Sequence, residues 1–301
     1  MNQPTEQQRD LGSAALVDAV LASFEGSTDP RYRELMQALV RHLHSFILEV
    51  GLTEEEWGKA IDFLTRTGHI TDDRRQEFIL LSDVLGASMQ VVGVNHSDAS
   101  QATESTVFGP FFFEGSPAFV NGDDISGGAA GIPCYIQGRV LDSAGNGIAG
   151  AKVEVWEADE EGLYDVQHED AAVAGRGHLY TDADGRFFFW ALEPTAYPIP
   201  YDGPVGELLT AAGRGPMRPA HVHFMVTAEG YEPLITHVFA AGDEHLDSDA
   251  VFGVKSSLIA PFERHEAGTE APDGSVPTEP YSTMSYDLRL AREVGAGEEA
   301  A

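Results

Sequence analysis

The chain has 301 residues, 49 of them acidic and 18 basic, for a net charge of −31 at pH 7. That charge repels nucleic acid and anionic membrane surfaces and favours solubility. The lone cysteine, Cys134, excludes an internal disulfide; no apolar run reaches the roughly 18 residues of a membrane span, and Met1–Gln7 lacks a secretory pattern, so a soluble, cytoplasmic enzyme is expected.

Leu16, Val17, Val20, Leu21 and Phe24 stand at helical spacing and predict a first helix over 13–24. Asp29-Pro30 is an N-cap and first-turn pair. It opens a long apolar pattern through Leu35, Leu39, Leu43, Phe46 and Val50, stopped at Gly51. Thr53 to Glu56 form a capping box ahead of Trp57, Ile61, Phe63 and Leu64, and Gly68 is expected to end that helix. A fourth helix is expected over 72–94. Several of these helices are apolar on more than one stripe. That pattern asks for burial against another subunit or a lipid as well as the chain itself.

The character changes near residue 103. Thr103 to Phe113 leads into a loop rich in Gly, Asp and Ser over 115–131. Short strands follow: Tyr135 to Leu141, Ala151 to Trp156, a stretch around Phe187 to Trp190, Leu234 to Phe239, and a last strand over 283–290. Turns such as Asp142 to Gly147 and Asp182 to Gly185 separate them. The expected class is α+β: a helical domain over 1–102, a mainly antiparallel β-sandwich over 103–292, and a disordered tail over 293–301.

Arg218-Pro219-Ala220-His221-Val222-His223-Phe224 carries the chemistry. On a strand, residues two apart share a face, so His221 and His223 present two imidazoles together. Val222 and Phe224 face apolar packing. Two imidazoles make half of a first-row metal site. Asp202, Glu207 or Glu229 could complete a two-His-one-carboxylate set. Tyr164 and Tyr197 are the less common choice, because a phenol needs a strong Lewis acid to ionise it. Arg218 adds a fixed cation upstream. His42 and His44 lie two apart on a helix and do not face one partner together, and the sequence sets no second histidine two residues from His96, His168, His178, His245 or His265.

Gly109-Pro110-Phe111, Gly138-Arg139-Val140, Ala151 to Trp156, Gly162-Leu163-Tyr164-Asp165, Tyr197 to Pro200 and Arg218 to His223, in this order, resemble the intradiol ring-cleavage dioxygenases. The resemblance covers nearly the whole chain. It implies one non-haem Fe(III) per subunit, held by Tyr164, Tyr197, His221 and His223. It implies a small aromatic diol or triol and O2 as substrates, with Tyr197 also serving as a base and Arg218 stabilising negative charge. It further implies that the helical domain joins a homodimer and that the β-sandwich is catalytic. A lipid is a candidate to lie between the helices. A metal-free β-sandwich binding module is the alternative of another class.

Leu80, Asp83, Val107, Phe108, Gly109, Pro110, Phe111, Ile199, Pro200 and Arg218 match the family's substrate-contacting stretches. His237 stands where the catechol enzymes share a glutamine, and is read as a residue near the substrate, not as a fifth ligand. Arg41 to His44, Arg74 to Asp83, Ala102 to Pro110 and Ser248 to Lys255 are similar to the branch acting on hydroxyquinol (benzene-1,2,4-triol); the same chemistry on catechol or a chlorocatechol is the alternative. In that branch Asp83 would accept a hydrogen bond from the third hydroxyl; catechol would leave it unpaired, at a cost of about 1–3 kcal/mol.

Overall fold

The computed structural model describes residues 12–72, 75–96, 101–168 and 173–293. Arg74, the first seven residues and, beyond Glu293, the expected tail lie outside the described residues. The chain divides into two compact units, Met1–Arg66 and Thr67–Ala301.

The first unit holds α1 (Ser13–Ser23), α2 (Pro30–Val50) and most of α3 (Glu54–Ile70). Asp29 accepts from the backbone N–H groups of Arg31 and Tyr32, and Gly51 ends α2 in the left-handed region at φ 62°. The capping box forms: Thr53 N donates to Glu56 Oε2 at 2.9 Å, and Glu56 N to Thr53 Oγ1 at 3.2 Å. Leu35, Leu39, Leu43, Phe46 and Val50 on α2 are exposed, as are Trp57, Ile61 and Leu64 on α3.

Two helix boundaries differ from expectation. Gly68 does not end α3, which runs on to Ile70. A glycine costs a helix interior only about 1 kcal/mol, and here its bare face lies against the Phe78 ring. The single helix expected over 72–94 is instead α4 (Glu77–Val84) and α5 (Ala87–Asn95), bent by 76°. The break is Gly86, at φ 71°, with the Phe252 ring 3.5 Å from where its Cβ would stand. Upstream, Arg75 folds back to pair with the buried Glu77 at 3.0 Å, and Glu77 accepts from Val205 N at 3.1 Å.

The second unit is built on two five-stranded sheets. In one, β1 (Pro133–Leu141) pairs antiparallel with β4 (Arg186–Leu192). Its other edge takes β11 (Tyr281–Ser285) and β12 (Leu288–Arg289), both parallel, and β10 (Glu263–His265) pairs antiparallel with β11. The last strand expected over 283–290 is thus two short strands on one neighbour. The other sheet runs β3 (Arg176–Tyr180), β2 (Lys152–Trp156), β7 (His221–Thr227), β8 (Leu234–Ala240), β9 (Ile259–Ala260). It is antiparallel except at β8–β9.

The sheets bury one core between them. Ile136, Val140, Phe187, Phe189 and Met284 come from the first sheet; Val153, Val155, Leu179, Val222, Phe224 and Val238 come from the second. Alternation sends these inward and the chemistry-bearing residues of the second sheet to its other face. A short ribbon of β5 (Tyr197–Pro198) and β6 (Met217–Arg218) lies apart from the sheets. Between them, α6 (Pro204–Ala211) was not anticipated; Pro204 occupies its first turn. No single helix among the described residues is long and apolar enough to cross a membrane. The bent pair α4 and α5 has such composition when joined, but Leu80, Asp83 and Val84 of α4 are buried in the protein itself.

Candidate active site

His221 and His223 lie on β7, side by side and buried. Across the sheet His223 is flanked by Trp156 on β2 and His237 on β8. The Trp156 ring stacks on His223 at 4.7 Å and fixes its plane. His221 donates through Nδ1 to the Pro219 carbonyl at 2.7 Å, which leaves its Nε2 as the bare lone pair. His221 Nε2 and His223 Nε2 stand 3.3 Å apart.

The two tyrosines arrive from separate segments. Tyr164 caps a short 3-10 turn, Asp165–Gln167, beyond β2. Tyr197 sits on β5 opposite Arg218 of β6. Gly162, at φ 78°, lets the Tyr164 loop close down: a Cβ there would lie 2.5 Å from the Tyr197 Cβ. Tyr164 Oη is 2.9 Å from Tyr197 Oη, and Tyr197 Oη is 3.2 Å from His221 Nε2. Donors about 2 Å from one ion stand roughly 3 Å apart, so this spacing fits one metal ion. Burial pushes both phenols up, with the Arg218 cation opposing it at each. Burial and Arg218 push His221 down to about 3, and burial first holds His223 and His237 well below their ordinary value. The imidazoles are therefore neutral lone-pair donors, while the phenols need an ion of high charge to ionise them.

Of the carboxylates considered from sequence, Glu207 and Glu229 are exposed, and Asp202 bonds Arg75 at 2.7 Å from an exposed position. None joins the buried cluster. His237 does: it and the other two histidines are the one group of three or more histidines, cysteines or acids among the described residues whose ligand atoms all lie within 4.8 Å of one another. Its Nδ1 is bonded to Thr106 Oγ1, its Nε2 has no partner, and its ring is 4.1 Å from that of His223.

Arg218 is buried and donates to His221 Nε2 at 3.1 Å. Burial opposes its charge, but Asp249 and the two phenols hold its pKa above the ordinary value. Asp249 accepts from Arg218 Nε at 3.1 Å, from Val251 N at 3.3 Å and from Gly253 N at 2.8 Å.

A cleft opens beside the cluster. Its walls are Leu80 and Asp83 of α4, Val107, Gly109, Pro110 and Phe111, then Tyr197, Ile199, Pro200, Arg218 and Val251. Nine of the residues expected at the substrate therefore meet. Phe108 does not line it; its ring packs on Phe112 at 4.5 Å and Trp156 at 5.9 Å. His237 lies in the imidazole cluster behind the cleft. Burial pushes the Asp83 carboxyl up, with Ser88 and Arg218 working the other way.

Comparison with known proteins gives the setting. The family described as Dioxygenase matches residues 108–292, and Catechol dioxygenase N terminus matches residues 29–103. The chain belongs to the intradiol ring-cleavage dioxygenases. It is 54% identical over 291 residues to hydroxyquinol 1,2-dioxygenase of Nocardioides simplex, covering 97% of this chain and 99% of that one. It is 37% identical over 286 residues to catechol 1,2-dioxygenase of Candida albicans, covering 93% of each. The crystal structure of hydroxyquinol 1,2-dioxygenase from Pseudomonas putida DLL-E4 superposes with a TM-score of 0.87 at 46% identity, covering 93% of this chain and 99% of that one.

For an intradiol dioxygenase, Asp249, Val251, Thr106 and Trp156 are the neighbours that sequence reasoning left without a role. A usable signal existed for Asp249. A buried arginine requires a carboxylate, and the 248–255 run already resembled one branch of the family.

Proposed function

We propose that this intradiol dioxygenase opens hydroxyquinol with O2 to 3-hydroxy-cis,cis-muconate, which tautomerises to maleylacetate. One Fe(III) per subunit is held by Tyr164, Tyr197, His221 and His223. The observation that carries this reading is the buried chain of two phenols and two imidazoles at 2.9, 3.2 and 3.3 Å, beside a cleft with Asp83 in its wall. The greater identity to a relative named for hydroxyquinol than to one named for catechol supports the substrate.

Ferric iron bound there supplies Lewis acidity that ionises the phenols and the diol. The protein's own groups do the rest. The Tyr197 oxygen stands between Tyr164 Oη and His221 Nε2; as the phenolate it would take a proton from the diol and become the neutral phenol. Arg218, buried and bonded to Asp249, stabilises negative charge on the ring without reorganising. Leu80, Val107, Gly109, Pro110, Phe111, Ile199 and Pro200 hold the flat ring and exclude water, with Phe108 behind them. Asp83 accepts from the third hydroxyl as a carboxylate, or donates to it as an acid. His237 offers its unpaired Nε2 toward the bound oxygens. The exposed apolar stripes of α2 and α3 support a homodimer through the helical domain, 1–102, with a lipid as a further occupant. The β-sandwich, 103–292, carries the chemistry, and the setting is the cytoplasm.

The test is oxygen uptake by purified protein with hydroxyquinol, catechol and a chlorocatechol, alongside iron content and the visible spectrum. The reading expects a red-brown, tyrosinate-to-iron absorption and the highest kcat/KM on hydroxyquinol. A colourless, iron-free, inactive preparation that iron does not restore would sink the metal assignment. Faster turnover of catechol would sink the substrate.

A further inference from the structure

The cleft's walls belong to segments far apart in the chain. Asp83 and Leu80 stand on α4, while Val251 and the Arg218–Asp249 pair stand with the 249–253 loop. One side chain outside the cleft ties the two together. Arg214 donates through Nη1 to the Val84 carbonyl at 2.6 Å and through Nη2 to the Ala250 carbonyl at 2.9 Å. Val84 follows Asp83; Ala250 lies between Asp249 and Val251. A guanidinium is a rigid planar fork, so the fork itself fixes how far apart these carbonyls stand.

The same guanidinium lies over the Phe252 ring at 4.6 Å. Phe252 is the non-glycine residue with positive φ among the described residues, at 59°. That conformation is disfavoured for a side-chain-bearing residue, and persists where the surroundings enforce it. The Phe252 ring also lies against Gly86, the left-handed residue that breaks α4 from α5. Phe252 thus meets both Arg214 and Gly86, a second link between the end of α4 and the loop that carries Arg218's partner.

We infer that Arg214 is a positioning residue: it sets the separation of the Asp83 wall from the Val251–Asp249 wall, and so the enzyme's preference for a third ring hydroxyl. The inference rests on the proposed reading of Asp83. Arg214 is no part of the cleft; it lines a separate outer one with Leu246, Asp247 and Val254. Its effect should therefore be on fit to the substrate and not on the metal.

The experiment uses iron-loaded full-length enzyme and the variants Arg214→Met, Arg214→Lys, Asp83→Ala and Asp83→Ala with Arg214→Met. Each is assayed for kcat and KM on hydroxyquinol and catechol, and for iron content and visible band. Arg214→Met removes both donors and should lower the hydroxyquinol-to-catechol ratio of kcat/KM about fivefold to tenfold, mainly through KM, with the visible band unmoved. Arg214→Lys, with one point donor, should recover only part of it, and serves as the test if the Met variant does not fold. In the Asp83→Ala background, Arg214→Met should change the ratio no further. If Asp83→Ala lowers the ratio and the Arg214 variants do not, this inference fails alone. If Asp83→Ala leaves the ratio unchanged, the Asp83 reading fails and takes this inference with it. Loss of iron in step with the ratio, or additive effects in the double variant, would also overturn it.

Discussion

Replacing Asp249 by Asn removes the counter-charge of a buried cation while keeping the side chain's shape. The side chains of Arg218 and Asp249 are 4% and 2% exposed, so water cannot take the carboxylate's place. Burial alone would raise the Asp249 pKa, but Arg218 and the Gly253 N–H hold it below the usual carboxylate range. Breaking such a pair from one side costs about 3–5 kcal/mol, because the remaining ion is left buried. The two backbone N–H groups bond different oxygens, Val251 N to Oδ1 and Gly253 N to Oδ2, so Asn can accept from one of them and turns its NH2 toward the other donor, which places the expected loss near the upper end, about 5 kcal/mol. The assay is urea unfolding followed by tryptophan emission. Trp156 is buried within the second unit beside the cluster and reports on it. The midpoint should fall with the slope unchanged. Adding Arg218→Gln to Asp249→Asn should cost much less than the sum of the single changes, since the orphaned charge is then gone. A single-variant loss under about 0.5 kcal/mol, or strict additivity, would refute the claim that Asp249 neutralises Arg218.

Tyr164→Phe should abolish or strongly shift the visible charge-transfer band and release iron, read by spectrum and metal analysis; an unchanged band would remove Tyr164 from the ligand set. Glu157 is buried, and desolvation pushes its carboxyl up to about 8. The folded protein therefore keeps a proton that the unfolded chain releases above its ordinary value of 4.5. Stability from this group is full below that value and declines toward pH 8, by about 1.4 kcal/mol per pH unit. Glu157→Gln should flatten the decline in a pH series of urea midpoints, and an unaltered profile would contradict it. Leu39→Glu, in the exposed stripe of α2, should convert a dimer to monomer in sedimentation, since an unpaired charge in an apolar seam costs several kcal/mol. A dimer that survives it would relocate the interface.

The legible parts of this molecule were those with local causes. Asp29-Pro30, Gly51 and the Thr53 box marked their helix ends because caps act within one turn. His221 and His223 could be put on one face from strand period alone, and Val222 and Phe224 in the core by the same rule. The tyrosines had no such signature; Tyr164 and Tyr197 come from separate loops, and only the family resemblance joined them to the histidines. What was missed depends on partners distant in sequence. Gly86 breaks a helix by turning left-handed beside Phe252, whereas Gly68 keeps a helical backbone with Phe78 packed on it. Phe108 sits in a stretch matched to the substrate, yet its ring finds Phe112 and Trp156. Arg214 and Asp249 matter only through contacts no periodicity reveals.

The parallel pairing of β1 with β11 and β12 has a consequence for how the protein is made. One edge of β1 finds β4 early, but the other is completed only by residues 281–289. At ordinary elongation rates that edge stays open on the ribosome for on the order of ten seconds. An uncovered strand edge over an apolar face is a template for misassembly during that interval. Residues 281–289 must therefore be made before the first sheet is complete. On the proposed reading, iron capture then follows the synthesis of β11 and β12. A truncation that removes β11 should yield a chaperone-bound or aggregated product even though every proposed ligand is still encoded.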